Sequence, residues 1–256
     1  PRAWLGWRGK ETVSISFVSP VRREEFAMLS LILASLSFLA IHAVISGPAV
    51  RAALIGKIGQ GAYMGLFSAL SAAALFWIIL AYGAAPHVEL WAEVGGLKML
   101  AVPLMAVAVV LAVLAFSTPN PTAAGGEKAL RGDRAATGII KITRHPFLVG
   151  VTIWSIAHIL ANGDLASAVM FGGFLALSLI GPVQIDAKRA VKHPDTWPAF
   201  LAQTSWLPFA AIFQGRASVT LGEIGWGRVA GGVALYLLIL LLGHEWAFGV
   251  AVLPGN

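Results

Sequence analysis

Long apolar runs separated by short polar stretches dominate the pattern of this chain. Six runs of about twenty residues carry few charged side chains, and a helical run of that length matches the hydrocarbon thickness of a bilayer. Helices are favoured there because each satisfies its own backbone hydrogen bonds. The pattern predicts an all-α fold, a polytopic integral membrane helix bundle with about six transmembrane helices. The predicted spans are 28–49, 62–82, 98–116, 146–161, 165–184 and 229–249.

The connections between the runs determine the predicted domain organisation. They hold too few apolar residues in pattern to bury a separate core, so residues 28–256 are predicted to form a single membrane domain. Residues 1–27 are predicted to be a disordered or non-native leader, because they do not have the pattern of a cleavable signal peptide. A chain that began at Met28 would open directly on the first span.

Charge is sparse and unevenly distributed. Charged residues make up 12% of the sequence against 58% hydrophobic residues, and the formal net charge is +6. The basic residues lie in alternate loops, which the positive-inside rule predicts to be cytoplasmic, with both termini outward, in a bacterial inner membrane. Because they form no recognition surface, the expected partner is the lipid bilayer and no nucleic acid. The basic residues of these loops are Arg51 and Lys57 after the first span, Lys128, Arg131, Arg134, Lys141 and Arg144 between the third and fourth spans, and Lys188, Arg189, Lys192 and Arg216 between the fifth and sixth spans.

Absent residues exclude several kinds of chemistry. The chain has no cysteine, which rules out disulfides, thiol catalysis and cysteine-ligated haem or iron-sulfur clusters. No two of its six histidines have the i, i+4 spacing of a helical zinc site. The sequence contains no nucleophile elbow, paired carboxylate or glycine-rich phosphate loop. Hydrolase and nucleotide-binding functions are therefore not expected.

Two histidines lie at membrane depth, where an unpartnered imidazole is costly. At 1.5 Å per residue, His42 is about 14 Å and His158 about 18 Å from the cytoplasmic face. Two imidazoles at one depth, from separate helices with aromatic walls, are the arrangement that binds haem. His42 and His158 match best; His145 competes if the first span ends early, and His244 can approach His158 from the outer side. The alternative is that each histidine only fixes packing by bonding a helix carbonyl.

Other polar residues flank the fourth span and leave two interpretations open. Proline at a first helical position and a basic residue at the headgroups explain Arg144 and Pro146 structurally, while His145 is placed to position a propionate or a phosphate. Asp164 is either a cofactor contact or the cap of the fifth span. Trp154 belongs either to the interfacial aromatic belt or to a pocket.

These segments together resemble the NnrU family. The resemblance rests on residues 38–42, 144–146, 154–164 and 244–254, and on Trp197, Phe200, Thr204, Ser205, Pro208 and Phe209. The family includes the 15-cis-zeta-carotene isomerases, which are membrane haem b proteins, and bacterial members associated with denitrification. It implies that His42 and His158 ligate the iron of haem b and are catalytic. Arg144, His145, Trp154 and Asp164 are predicted as further cofactor contacts. It also implies a cysteine in the oxidised state, which this chain lacks.

The resemblance leaves two functions open. The first is haem-dependent cis-trans isomerisation of a lipophilic polyene such as 15-cis-zeta-carotene. The second is a non-enzymatic haem membrane protein, an accessory or electron-transfer factor in denitrification that acts with partner membrane proteins. A quinone would suit the same lipid-facing site. A membrane methyltransferase also places Arg-His-Pro before a late span, but its acidic pair and tyrosines are not found here; a purely structural bundle is the remaining alternative.

Overall fold

The computed structural model describes residues 20–92, 95–131, 135–250 and 252, and the regular secondary structure of this part is helical apart from one isolated bridge between Glu89 and Asp164. The predicted all-α fold is confirmed. The six long helices are α1 (Pro20–Ala40), α2 (Pro48–Ala84), α3 (Gly95–Ser117), α4 (Pro146–Asn162), α5 (Leu165–Lys192) and α6 (Trp226–Leu238). A π-helical turn, Ile41–Ile45, continues α1, and another, Ile239–Gly243, joins α6 to His244–Phe248. Short helical segments are Gly126–Arg131, Ile139–Ile142, Trp197–Ala202, Ala210–Phe213 and Leu221–Ile224.

Length and apolar composition give five helices in the described residues that can cross a membrane. They contain α1, α2, α3, α5 and α6, the last counted through Phe248. The remaining predicted span, the fourth, is α4, which is apolar but has only 17 residues. The predicted polytopic membrane bundle is confirmed, and the fifth span extends to Lys192, beyond its predicted end at residue 184.

Several helix ends differ from the predicted span limits. Helix α1 begins at Pro20, so residues 20–27 of the predicted leader are helical, while residues 1–19 lie outside the described part of the chain. Helix α2 begins at Pro48 and includes the predicted loop with Arg51 and Lys57; it is interrupted only at Gly59, where φ is 80°. Hydropathy marks where a helix enters hydrocarbon, whereas backbone hydrogen bonding continues into water and headgroups.

The long helices pack in the order α6, α3, α4 and α5, and α1 and α2 both pack against α5. Helix α5 contacts α1, α2 and α4, and α3 contacts α4 on one side and α6 on the other. Glycines allow the close approaches. A Cβ on Gly150 of α4 would lie 3.1 Å from the carbonyl oxygen of Ala108 in α3, and a Cβ on Gly232 of α6 would lie 3.0 Å from Cα of Val110. Helix α5 is thus the element against which the two histidine-bearing helices, α1 and α4, both pack.

A small core joins the two longest connections, contrary to the expectation that they could bury none. The buried residues are Leu114, Leu130, Ile139, Ile140, Trp197 and Phe200. Each connection alone has few apolar residues, but the two combine theirs and pack on the end of α3 through Leu114. This core fixes the end of the bundle that carries Arg144, Lys188 and Arg189, here called the basic end.

Candidate functional site

His42 lies in the π-helical turn that continues α1. Its Nδ1 is 2.9 Å from the carbonyl oxygen of Phe38, one turn earlier. Because a carbonyl can only accept, Nδ1 carries the proton and donates it, which leaves the Nε2 lone pair of the neutral ring unprotonated. The ring contacts Phe38 at a centroid distance of 4.2 Å and Phe67 at 5.3 Å. In the neutral ring, Nε2 of His42 is therefore a potential ligand atom.

His158 repeats this arrangement on α4. Its Nδ1 donates to the carbonyl oxygen of Trp154 at 2.9 Å, so its Nε2 also keeps its lone pair. The ring stacks on Phe171 of α5, with centroids 4.6 Å apart and planes inclined by 21°, and lies 5.2 Å from the ring of Trp154. Fixing one ring nitrogen by a hydrogen bond orients the other for a metal, as is usual for histidine ligands.

An aromatic cluster, defined as Phe38, Trp154, Phe171 and Phe174, joins the two histidines. Phe174 of α5 contacts Phe38 on one side and Trp154 on the other, each at 5.4 Å between centroids. Trp154 also contacts Phe171 at 4.8 Å. The structure thus brings Trp154 and both predicted haem ligands to one continuous set of rings at membrane depth. Sequence reasoning did not single out Phe171 and Phe174, which lie three residues apart on one face of α5.

The two histidines approach this cluster from opposite sides. Helices α1 and α4 run in opposite directions, so the backbone of His42 lies one turn beyond Phe38 toward the basic end, and that of His158 one turn beyond Trp154 away from it. Both rings turn back toward the cluster because each bonds the carbonyl four residues earlier.

Arg144 and His145 form a separate polar cluster at the basic end, here called the Asp186 cluster. Nε and Nη2 of Arg144 donate to Oδ2 of Asp186 at 2.9 and 2.5 Å, and Nε2 of His145 lies 2.9 Å from Oδ1. His145 is 2% exposed. Burial lowers the pKa of His145, an effect that its hydrogen bond to Asp186 opposes without cancelling. Because the carboxylate accepts, Nε2 of His145 carries a proton and donates it to Asp186.

Backbone hydrogen bonds connect the Asp186 cluster to the folded connections. The amide of Arg144 donates to the carbonyl of Ser205 at 2.9 Å, and its own carbonyl accepts from the Thr122 hydroxyl at 2.8 Å. About 20 Å of helix separates His145 from His158 at 1.5 Å per residue. Sequence reasoning missed Asp186, whose signal is that it is the one acidic residue within the apolar helix α5.

Asp164 and His244 lie at the opposite end. Asp164 caps α5 by accepting a hydrogen bond from the amide of Ser167 at 2.9 Å, after Gly163 ends α4 with φ at 67°. This matches the capping interpretation of Asp164. His244 lies within electrostatic range of His158, and its Nδ1 donates to the carbonyl of Val250 at 2.9 Å.

The described residues contain no metal site built from protein ligands alone, because no three of their His, Asp or Glu side chains converge. Each of the two imidazoles has an Nε2 atom without a hydrogen bond to the described residues and is bordered by aromatic rings, which is the donor type that a metal in a planar cofactor takes. Ser155, fully buried and without a hydrogen-bond partner in the structure, lies three residues before His158 on α4.

Comparisons with known proteins place these features in context. The family model described as NnrU protein matches residues 30–252. The chloroplastic 15-cis-zeta-carotene isomerase of Arabidopsis thaliana is 40% identical over 80 residues, and that of Zea mays is 36% identical over 80 residues. Each match covers 31% of this chain and 22% of the relative, so the chain spans less than a quarter of these curated relatives. No solved structure matches the chain.

Proposed function

This chain belongs to the NnrU family, and from that premise we propose that it is a membrane isomerase that converts a cis double bond of a lipophilic polyene, such as 15-cis-zeta-carotene, to trans. Two curated relatives carry the name of that isomerase. The observation that carries the proposal is the pair of membrane-depth histidines, His42 and His158, each fixed as a neutral imidazole and joined by one aromatic cluster.

Haem b is the proposed cofactor, and His42 and His158 would hold its iron. The donor set fits, because both rings spend their Nδ1 proton on a helix carbonyl and keep the Nε2 lone pair. The flanking rings of Phe38, Trp154 and Phe171 supply the apolar, aromatic walls that a porphyrin needs. When bound, the iron supplies an electron-accepting centre beside the conjugated chain, which lowers the barrier to rotation about a double bond.

The protein's own residues contribute orientation and the exclusion of water. The carbonyls of Phe38 and Trp154 hold the two imidazoles in fixed orientations. The aromatic cluster lines the site with apolar side chains. Binding of a polyene without polar groups therefore leaves no buried polar group without a hydrogen bond. Since the cluster lies at membrane depth between helices, such a substrate can approach laterally from the bilayer rather than from water.

A single preparation tests the cofactor and the activity separately. Protein purified in detergent should show a Soret band, with sharp bands on reduction. His42→Ala and His158→Ala should each lower the haem-to-protein ratio at least tenfold. His193→Ala, which removes a histidine near Glu127 at the basic end, is the matched control and should leave the ratio unchanged.

The activity is then measured by incubating reduced wild-type protein with 9,15,9'-tri-cis-zeta-carotene. The expected product is the 9,9'-di-cis isomer, detected by chromatography, and the two haem-ligand variants should yield none. Unchanged substrate with an intact Soret band would refute the isomerase and favour the non-enzymatic haem protein. A colourless wild-type preparation would refute the haem.

A further inference from the structure

An open pocket of about 420 Å³ lies at the basic end, between the turn that follows Trp197–Ala202 and the short helix Ala210–Phe213. It is outside the membrane-depth cluster and is not used by the proposed reaction. Its polar lining consists of Arg144, Thr204, Ser205, Gln214 and Arg216, and its apolar lining includes Trp206 and Leu207. Two arginines therefore line one pocket whose lining includes no carboxylate.

The two arginines differ in how their charge is compensated. Arg144 is paired with Asp186 through Nε and Nη2. Arg216 is exposed, and its Nη1 donates to the carbonyls of Leu201, Ala202 and Thr204 at 3.1, 2.8 and 3.0 Å. Its Nε donates to Gln214 at 2.8 Å. Within the described residues no carboxylate forms an ion pair with Arg216, so the pocket keeps a net positive charge while the guanidinium is held in one orientation.

Unused donors remain on both groups. Nη1 of Arg144 and Nη2 of Arg216 donate no hydrogen bond to any residue that the structure describes. A guanidinium whose remaining nitrogens are already fixed binds a phosphate with little further loss of side-chain freedom, since its planar fork matches the phosphate oxygens. The chemistry of the pocket therefore suits an anionic phosphate group better than a neutral ligand.

Two exposed apolar residues line the pocket, Trp206 at 42% and Leu207 at 55% exposed. Phe213, 85% exposed, directly precedes Gln214 of the lining. Phe209, between them, has a left-handed backbone with φ at 65°, held by its amide, which donates to the carbonyl of Ile142 at 2.8 Å. Tryptophan and phenylalanine beside basic residues at the end of a bundle are typical of the membrane interface. A ligand with a phosphate and an attached acyl chain would meet both parts of this surface.

We propose that the Arg144 and Arg216 pocket is a specific binding site for the phosphate group of an anionic glycerophospholipid. The phosphate lies between the two guanidinium groups and the acyl chains extend past Trp206 and Phe213 into the adjoining leaflet. Basic pockets at the ends of membrane helices bind lipid headgroups in this way. A free phosphate shares the headgroup chemistry but makes no use of the apolar border, so the two sources of phosphate are separable.

Native mass spectrometry of the delipidated full chain in detergent tests the site. Titration with phosphatidylglycerol should give one retained lipid per protein, whereas phosphatidylcholine should be retained at least fivefold more weakly. Arg216→Gln should reduce phosphatidylglycerol retention at least fivefold. Arg51→Gln removes the same charge at the same end, from an arginine that contacts Gln60 and Tyr63 outside the pocket, and should retain the lipid.

A second variant guards against loss of folding in Arg216→Gln. Gln214→Glu adds a carboxylate beside the pocket without removing the three carbonyl contacts of Arg216, and it should also reduce retention while the thermal unfolding midpoint stays within a few degrees. Equal retention in wild type and Gln214→Glu, or an equal loss in Arg51→Gln, would overturn the site. Displacement of the lipid by an equal concentration of inorganic phosphate would overturn the lipid as its ligand.

Discussion

The aromatic cluster borders His158, which is partly buried, and the Asp186 cluster includes His145, which is buried, yet the two histidines are used in opposite ways. His158 forms one hydrogen bond, to its own helix, and keeps Nε2 available. His145 commits Nε2 to a carboxylate that also binds Arg144. The comparison shows that burial of a histidine does not by itself indicate function. What separates a potential ligand from a structural residue is which ring nitrogen the protein occupies.

The largest effect on stability is expected from Asp186→Asn, which removes the charge that compensates Arg144. A buried ion left without its partner typically costs about 3 kcal/mol or more, and the side chains of Arg144 and Asp186 are only 11% and 18% exposed. Thermal or chaotrope unfolding in detergent measures the change. Asp195→Asn, at an exposed aspartate, should stay within about 0.5 kcal/mol of wild type. Equal stabilities for the two variants would show that the Asp186 cluster is not a structural centre.

Replacing each histidine by phenylalanine compares how much His145 and His158 contribute to stability. His145→Phe leaves Oδ1 of Asp186 without its donor and should destabilise the protein by about 2 kcal/mol. His158→Phe keeps an aromatic ring between Trp154 and Phe171 and should cost less than about 1.5 kcal/mol. Both are measured on haem-free protein, since a bound cofactor adds its own stabilisation. A greater cost for His158→Phe would assign that residue to packing.

The smallest effect is expected from pH at the edge of the basic end. The ammonium of Lys192, with a contribution from Arg189, lowers the pKa of Glu127 to about 2 from 4.5. The stabilisation by this carboxylate is therefore fully present above pH 4.5 and is lost as pH falls toward 2. Solvent screens the partly exposed Glu127, so the change is about 1 kcal/mol.

Unfolding midpoints measured across that range should show a steeper acid decline for wild type than for Glu127→Gln. Parallel profiles would contradict an interaction between Glu127 and these cations. Because both proteins share every other titrating group, the difference between the two profiles isolates this carboxylate from the Asp186 cluster.

The membrane helices could be predicted from the sequence because hydrocarbon imposes one requirement along a continuous stretch of chain. The same signal gave no information about the first part of α2, where Arg51 and Lys57 lie on a helix. It also missed the core around Trp197 and Ile140, because that core combines apolar residues from two distant connections. Local composition predicts the environment of each segment, whereas a shared core depends on which segments are in contact in the fold.

The candidate site divides in the same way. His42, His158 and Trp154 were predictable, since polar and aromatic residues at membrane depth are conspicuous in one sequence, and the structure joins them through one cluster. Their roles as haem contacts stay a prediction. Asp186 was not found, because its pairing with Arg144 spans 42 positions along the chain, and a carboxylate near the end of an apolar run reads as the end of the span.

Helix α4 has a consequence for the lipid around it. Its 17 residues measure about 26 Å, while a typical hydrocarbon core is about 30 Å thick. Polar anchors hold both of its ends, His145 on Asp186 and the turn capped by Asp164, so the helix cannot lengthen. The bilayer beside α4, the helix that carries His158, is therefore expected to thin by a few ångströms to relieve this hydrophobic mismatch.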